Sequence, residues 1–249
     1  NALFEAYKKN NDILEDILIL IRIYETKNEA LPQEIAIATN SQTRISQRDL
    51  MSNTEVQIKL EKSFSNLGYF YERKRFQHEE QKPNSRIDAL KLGQAIVAFD
   101  LREPEKARTD SDKIFSSRYQ EVFSKDHNVS YLLNIFLIIQ LIDQRREEAR
   151  KARKKGTGND IDSFWSYGQF HILYLVKLLS EKNDISITDN KNRERLLNDA
   201  VEIMRSFILS KKTSSFYTLF RSAKTKEELY ERALHKGQLP LPLEITQSG

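Results

Sequence analysis

Not one cysteine occurs among the 249 residues. Disulfides, zinc–thiolate sites and cysteine nucleophiles are thereby excluded, and a reducing, cytoplasmic setting is the natural expectation. Glycine and proline are scarce, at 7 and 5 residues, too few to turn the many strands of an all-β fold. Long apolar runs are missing too. The most apolar stretch, Tyr131 to Ile142, falls far short of the roughly 20 residues that span a bilayer, so no membrane partner is expected. No signal peptide is visible. The four histidines, His78, His127, His171 and His235, are scattered without metal-ligand spacing. A glycine-rich phosphate loop and a nucleophile elbow are also absent. No metal or cofactor is expected, and the balance leans away from an enzyme within these residues. The chain opens at Asn1-Ala2 without methionine, which suggests a piece of a longer protein.

Charge, by contrast, is plentiful. Charged side chains make up 31% and hydrophobic ones 39%, a globular balance that favours long charged helices over disorder. The 40 basic and 36 acidic residues leave a net +4, which permits nucleic-acid contact without demanding it. Ile17 to Tyr24, ILILIRIY, reads as a buried strand, and Leu31-Pro32 opens a short helix. Ser52 and Glu55 have capping-box spacing before the stripe Val56, Leu60, Phe64 and Leu67, with Gly68 placed to end the helix. Residues 69–76, YFYERKRF, alternate as a strand, and 77–86 read as a polar loop. Helices are predicted over 87–101, about 129–155, 162–182 and 191–210, with shorter pieces to 233 and an extended tail. The expected fold class is predominantly α (α+β), with a small sheet from strands near 17–25 and 69–76 packed with helices. An all-helical C-terminal half follows. Two units are expected, a motif-bearing α+β region over 1–125 and a helical module over 126–249.

Three stretches carry candidate chemistry. Residues 38–53, ATNSQTRISQRDLMSN, gather amides and hydroxyls that can bind bases or ribose, or can equally cap helix ends. The strand after it would place Tyr69, Tyr71, Arg73 and Arg75 on one face. Stacking rings beside phosphate-binding cations are the pairing that single-strand binders use, though a half-buried edge strand would look the same. Within it, Glu72-Arg73-Lys74 has the acidic–x–Lys spacing of a metal-dependent nuclease, with Asp49 as the upstream carboxylate. Glu25-Thr26-Lys27 and Asp189-Asn190-Lys191 share that spacing, so it is weakly specific. Finally, RREEARKARKK over 145–155 is either a phosphate-binding ridge or a helix end whose cations complement its dipole, with a Glu147–Lys151 pair.

Several of these residues recur in order in one known family. Ala38-Thr39-Asn40-Ser41-Gln42-Thr43, Ser46, Arg48-Asp49-Leu50 and Asn53 lead the pattern, and the run Gly68 to Arg75 continues it. Gln94-Ala95, Leu101-Arg102-Glu103-Pro104 and Ala107-Arg108 complete it. On these residues the first 125 positions resemble the abortive-infection phage-resistance (AIPR) family of bacterial antiviral proteins. That resemblance implies a phage-defence role and a larger amino-terminal portion, and it makes the amide-rich stretch a shared site rather than a capping accident.

The leading expectation is a nucleic-acid-binding or sensing module. Arg48, Arg73 and Arg75 would contact phosphates, Tyr69 and Tyr71 would stack on bases, and Asn40 and Gln42 would bond a base edge or sugar. One alternative is a metal-dependent nuclease using Asp49, Glu72 and Lys74. Another is a helical interaction module whose partner is a phage component or a second copy of the chain.

Overall fold

The computed structural model describes residues 46–123, 128–157, 164–211 and 215–235. The strand expected near 17–25, the helix after Leu31-Pro32, the extended tail, and both Asn40 and Gln42 lie outside the described residues. The first described elements are α1 (Gln47–Met51), α2 (Glu55–Asn66), β1 (Phe70–Glu72), β2 (Arg86–Asp88) and α3 (Ala89–Phe99). Next come α4 (Lys106–Thr109), α5 (Tyr119–Val122), α6 (Val129–Lys154), α7 (Phe164–Tyr167) and α8 (Gln169–Lys182). The last are α9 (Asn190–Leu209), α10 (Phe216–Leu219) and α11 (Ala223–Leu234). Mostly helix with one small sheet is what composition and periodicity predict. No helix among the described residues is long and apolar enough to cross a membrane.

Short polar residues set the helix starts. Ser46 accepts from the Asp49 amide and donates to the Asp49 carboxylate at 2.6 Å, a reciprocal cap for α1. The side chains of Asp88, Asn128 and Asp189 cap α3, α6 and α9 by accepting from the amides of Lys91, Tyr131 and Asn192. The predicted Ser52–Glu55 box does not form. Thr54 is the residue before α2, and the Ser52 hydroxyl turns back to the Asp49 carbonyl at 2.7 Å. Gly68 ends α2 with φ of 81°, the left-handed geometry glycine allows most readily.

The sheet is a parallel pair, with Phe70 opposite Arg86, Tyr71 opposite Ile87 and Glu72 opposite Asp88. Residues 73–85 make the crossover through turns and a short 3₁₀ segment, Pro83–Ser85. β1 is shorter than the predicted 69–76, because the Arg48 guanidinium takes the Glu72 and Arg73 carbonyls where the ladder would continue. β2 spans the boundary drawn between a loop and a helix, with only Ile87 apolar among its three residues.

One core joins these elements. α8 is buried on nearly every side and packs against α3, α6, α9 and α11. α6 contributes Leu132, Ile135, Phe136, Ile138, Ile139 and Ile142 from its first half, and its second half leaves the core. There Arg150, rather than Lys151, pairs with Glu147. The predicted helix over 162–182 is divided at Gly168, where a Cβ would lie 2.9 Å from the Phe220 ring.

Candidate functional site

Arg48 is the centre of the region where the two motif stretches meet. It sits on α1 and is 5% exposed. Its Nε donates to the Arg73 carbonyl at 3.0 Å and its Nη2 to the Glu72 carbonyl at 2.5 Å. Nη1 forms an ion pair with Asp88 at 2.7 Å. Arg73 reaches the other way, donating to the Ser52 carbonyl at 2.6 Å and to Asn53 Oδ1 at 3.1 Å, with its Nε 3.0 Å from Glu61. Tyr71 is 0% exposed, stacks on Phe64 with centroids 5.4 Å apart, and donates to Gln57 Oε1 at 2.8 Å. Burial holds its phenol well above the ordinary tyrosine range, and Arg48 only partly offsets that.

Arg48, Tyr71 and Arg73 therefore do converge, but their polar atoms face one another and the backbone. The expected stacking role has no ring face to use at Tyr71. The two guanidinium groups hold α1, α2 and β1 together. Tyr69 is half-buried against the core. Lys74 and Arg75 are exposed, and neither side chain has a partner among the described residues.

The nuclease candidates are placed apart in role. The Asp49 carboxylate belongs to the α1 cap. Glu72 receives Arg86 Nη1 at 3.4 Å and the His78 amide at 3.3 Å, and Lys74 lies past the strand end. No group of three or more His, Asp or Glu side chains able to hold a metal ion occurs among the described residues.

Beyond Glu72 opens a cleft of about 780 Å³ between the face of the sheet that carries Glu72, Arg86 and Asp88 and the flank of α6. Phe136 and Leu141 form apolar lining, and Gln140 donates to the Asn84 carbonyl at 3.0 Å. Glu72 meets Arg86, Asp88 meets Arg48, and Lys91 meets Asp143. Burial, with Arg146 nearby, draws the Lys91 ammonium down to about 8, while Asp88 opposes the shift. The Asp143 contact likewise favours its charged form.

Arg193 also lines the cleft, and its hydrogen-bond partners among the described residues are neutral. Its Nη1 donates to Asn134 Oδ1 and the Ile187 carbonyl, both at 2.8 Å, and to the Thr188 carbonyl at 2.9 Å. Its Nε has no hydrogen-bond partner among the described residues. Lys151 is an exposed cation of the same cleft. Asp88, Lys91, Asp143 and Arg193 are not among the candidates expected from sequence. Asp88 has a legible signal, an aspartate just before an apolar helix. Arg193 has none, since only the fold brings the first turn of α9 to Asn134 on α6.

A family model described as AIPR protein matches residues 1–218. The match runs past position 125, where the motif likeness stops, and into α10. No curated protein and no solved structure matches the chain. With most of its length covered by that one model, the chain belongs to the AIPR family, whose name stands for abortive-infection phage resistance and whose setting is bacterial antiviral defence.

Proposed function

We propose that this chain is a nucleic-acid-binding or sensing module that meets the phosphate backbone along the free end of α6 and the neighbouring cleft. The supporting observation is the state of the 145–155 cations. Arg145, Arg150, Lys151, Arg153, Lys154 and Lys155 are exposed. Among the described residues, Arg150 alone of these pairs with a carboxylate, Glu147 at 2.8 Å. Arg145 and Arg153 have no side-chain partner among the described residues. Lys151 and Lys154 act on Glu147 only through their field, which helps Arg150 hold its carboxyl below the usual range. Cations that serve only the helix dipole belong in the last turn. Arg145 and Arg150 lie before it, so the dipole alone does not account for the ridge.

In this reading Arg48 and Arg73 build the scaffold. Tyr69, Lys74 and Arg75 remain as contacts next to Glu72, which lines the cleft. Phosphate neutralisation makes affinity fall with salt, by a slope of about 0.9 per contact on duplex DNA. Fluorescence anisotropy with labelled oligonucleotides across a salt series tests the reading. The triple variant Lys151→Glu, Arg153→Glu, Lys154→Glu should reduce the slope by roughly 2–3 and weaken binding at least tenfold, with thermal unfolding unchanged. A flat salt response in the wild type would sink the proposal.

A further inference from the structure

Far along the chain from the motif stretches, α7 and α10 bring two exposed tyrosines together. Tyr167 and Tyr217 meet edge to face, with centroids 6.4 Å apart and planes at 89°. They are 37% and 52% exposed. The Arg221 guanidinium lies 4.1 Å from the centre of the Tyr217 ring, and that of Arg108 lies 6.0 Å from the centre of Tyr167. Arg108 is fixed by donating to the Ser166 carbonyl at 2.8 Å. Glycine at 168 makes the arrangement possible, because it admits the Phe220 ring to the junction of α7 and α8.

Among the described residues, few carboxylates touch these guanidinium groups. Burial lowers the Arg108 pKa first, and Arg146 and Arg221 lower it further, so the three guanidinium groups feel one another. Arg146 donates to Gln169 Oε1 at 2.6 Å and meets Asp143 at 3.1 Å. Asp143 is the only carboxylate in direct contact with any of the three among the described residues. Like charges held together raise the energy of the free protein, and a polyanion relieves it. Exposed rings beside those charges add what a phosphate or sulfate ion cannot use, a flat apolar surface for an unpaired base.

We infer that Tyr167, Tyr217, Arg108 and Arg221 form a contact for single-stranded nucleic acid, with a base on the Tyr217 ring and phosphates at Arg221 and Arg108. This rests on the nucleic-acid reading above but on different residues. A duplex keeps its bases stacked inside and has nothing to place on the ring, so the patch selects strands with unpaired bases.

Anisotropy of labelled oligothymidylate, oligouridylate and a duplex of matched length tests it on the whole chain. Tyr217→Ala should weaken single-strand binding roughly tenfold and leave the duplex unchanged, and Tyr217→Phe should keep wild-type affinity. Tyr217 is exposed, so unfolding curves of the three proteins should coincide. If Tyr217→Ala binds both single strands like wild type while the α6 triple variant does not bind, the patch is overturned and the nucleic-acid reading stands. Displacement by polyglutamate as readily as by unlabelled oligothymidylate also overturns it, because charge alone would then account for binding. Absence of binding to every oligonucleotide removes both.

Discussion

At the scale of single residues, Arg48 shows how a side chain with a binding chemistry can serve the fold instead. Its planar fork meets two carbonyls and one carboxylate that lie in different directions. Removing it would leave the Asp88 carboxylate and the end of β1 without their main donor. Asp88 is 35% exposed, so losing its partner costs less than in a fully buried pair, about 1–3 kcal/mol with the carbonyls left unpaired. Arg48→Ala should lower the urea midpoint by a corresponding amount, and Arg48→Lys should recover little, because one ammonium cannot span the three acceptors. Were Arg48→Ala as stable as wild type and defective only in oligonucleotide binding, the scaffold role would be wrong. The residue types here were legible in the sequence; their direction was not. Alternation correctly separates Phe70 from Tyr71, but Phe70 looks like the core side and is 37% exposed, while Tyr71 points inward to Gln57 and Phe64. Gln57 gives Tyr71 a buried hydrogen-bond partner, which no strand pattern can announce.

At the scale of elements, long periodic helices with polar caps were the legible part, and α2, α6, α8 and α9 follow from their spacing. Elements that depend on distant partners were not. β2 is three residues with one apolar side chain, and it exists because β1 lies beside it. The packing of residues 110–123 on α3 is equally silent in the sequence, and Gly93 is its hinge point. Glycine inside a helix costs about 1 kcal/mol relative to alanine, so Gly93→Ala would ordinarily stabilise α3. Here the added Cβ would lie 2.7 Å from Ile114 Cγ2 and 3.1 Å from the Phe123 ring. Overpacking of this kind costs about 1–3 kcal/mol, which exceeds the helical gain. Gly93→Ala is therefore expected to melt below wild type in a thermal scan. A higher melting temperature would mean that Ile114 and Phe123 do not press on α3 as described.

At the scale of the whole molecule, the proton economy turns on one histidine in the central helix. His171 on α8 is 1% exposed, lies 5.1 Å from the Phe220 ring, and has no hydrogen-bond partner among the described residues at either ring nitrogen. Burial pulls its pKa down to about 3, and the fields of Arg108 and Lys226 add to the shift. An unfolded histidine titrates near 6.5, so between those values the unfolded chain binds the extra proton. Stability therefore rises with pH across that window and is lost as pH falls from 6.5 towards 3, at up to about 1.4 kcal/mol per unit. By pH 4 the loss would approach roughly 3 kcal/mol. Glu103 and Asp110 are also held below their ordinary range, Glu103, against its own desolvation, by Lys106 and Arg118, and Asp110 by Lys113. They act in the same direction near the surface, where solvent screening keeps their share small. Because α8 touches α3, α6, α9 and α11, protonating its ring loosens the shared core rather than a single edge. His171→Leu should flatten the dependence of the urea midpoint on pH below 6.5. At neutral pH it should also gain about 1 kcal/mol, since an apolar side chain of similar size leaves no buried donor unpaired. If the variant loses stability in parallel with wild type as the solution is acidified, the proton-linked group lies elsewhere and the His171 ring has found a partner in solution.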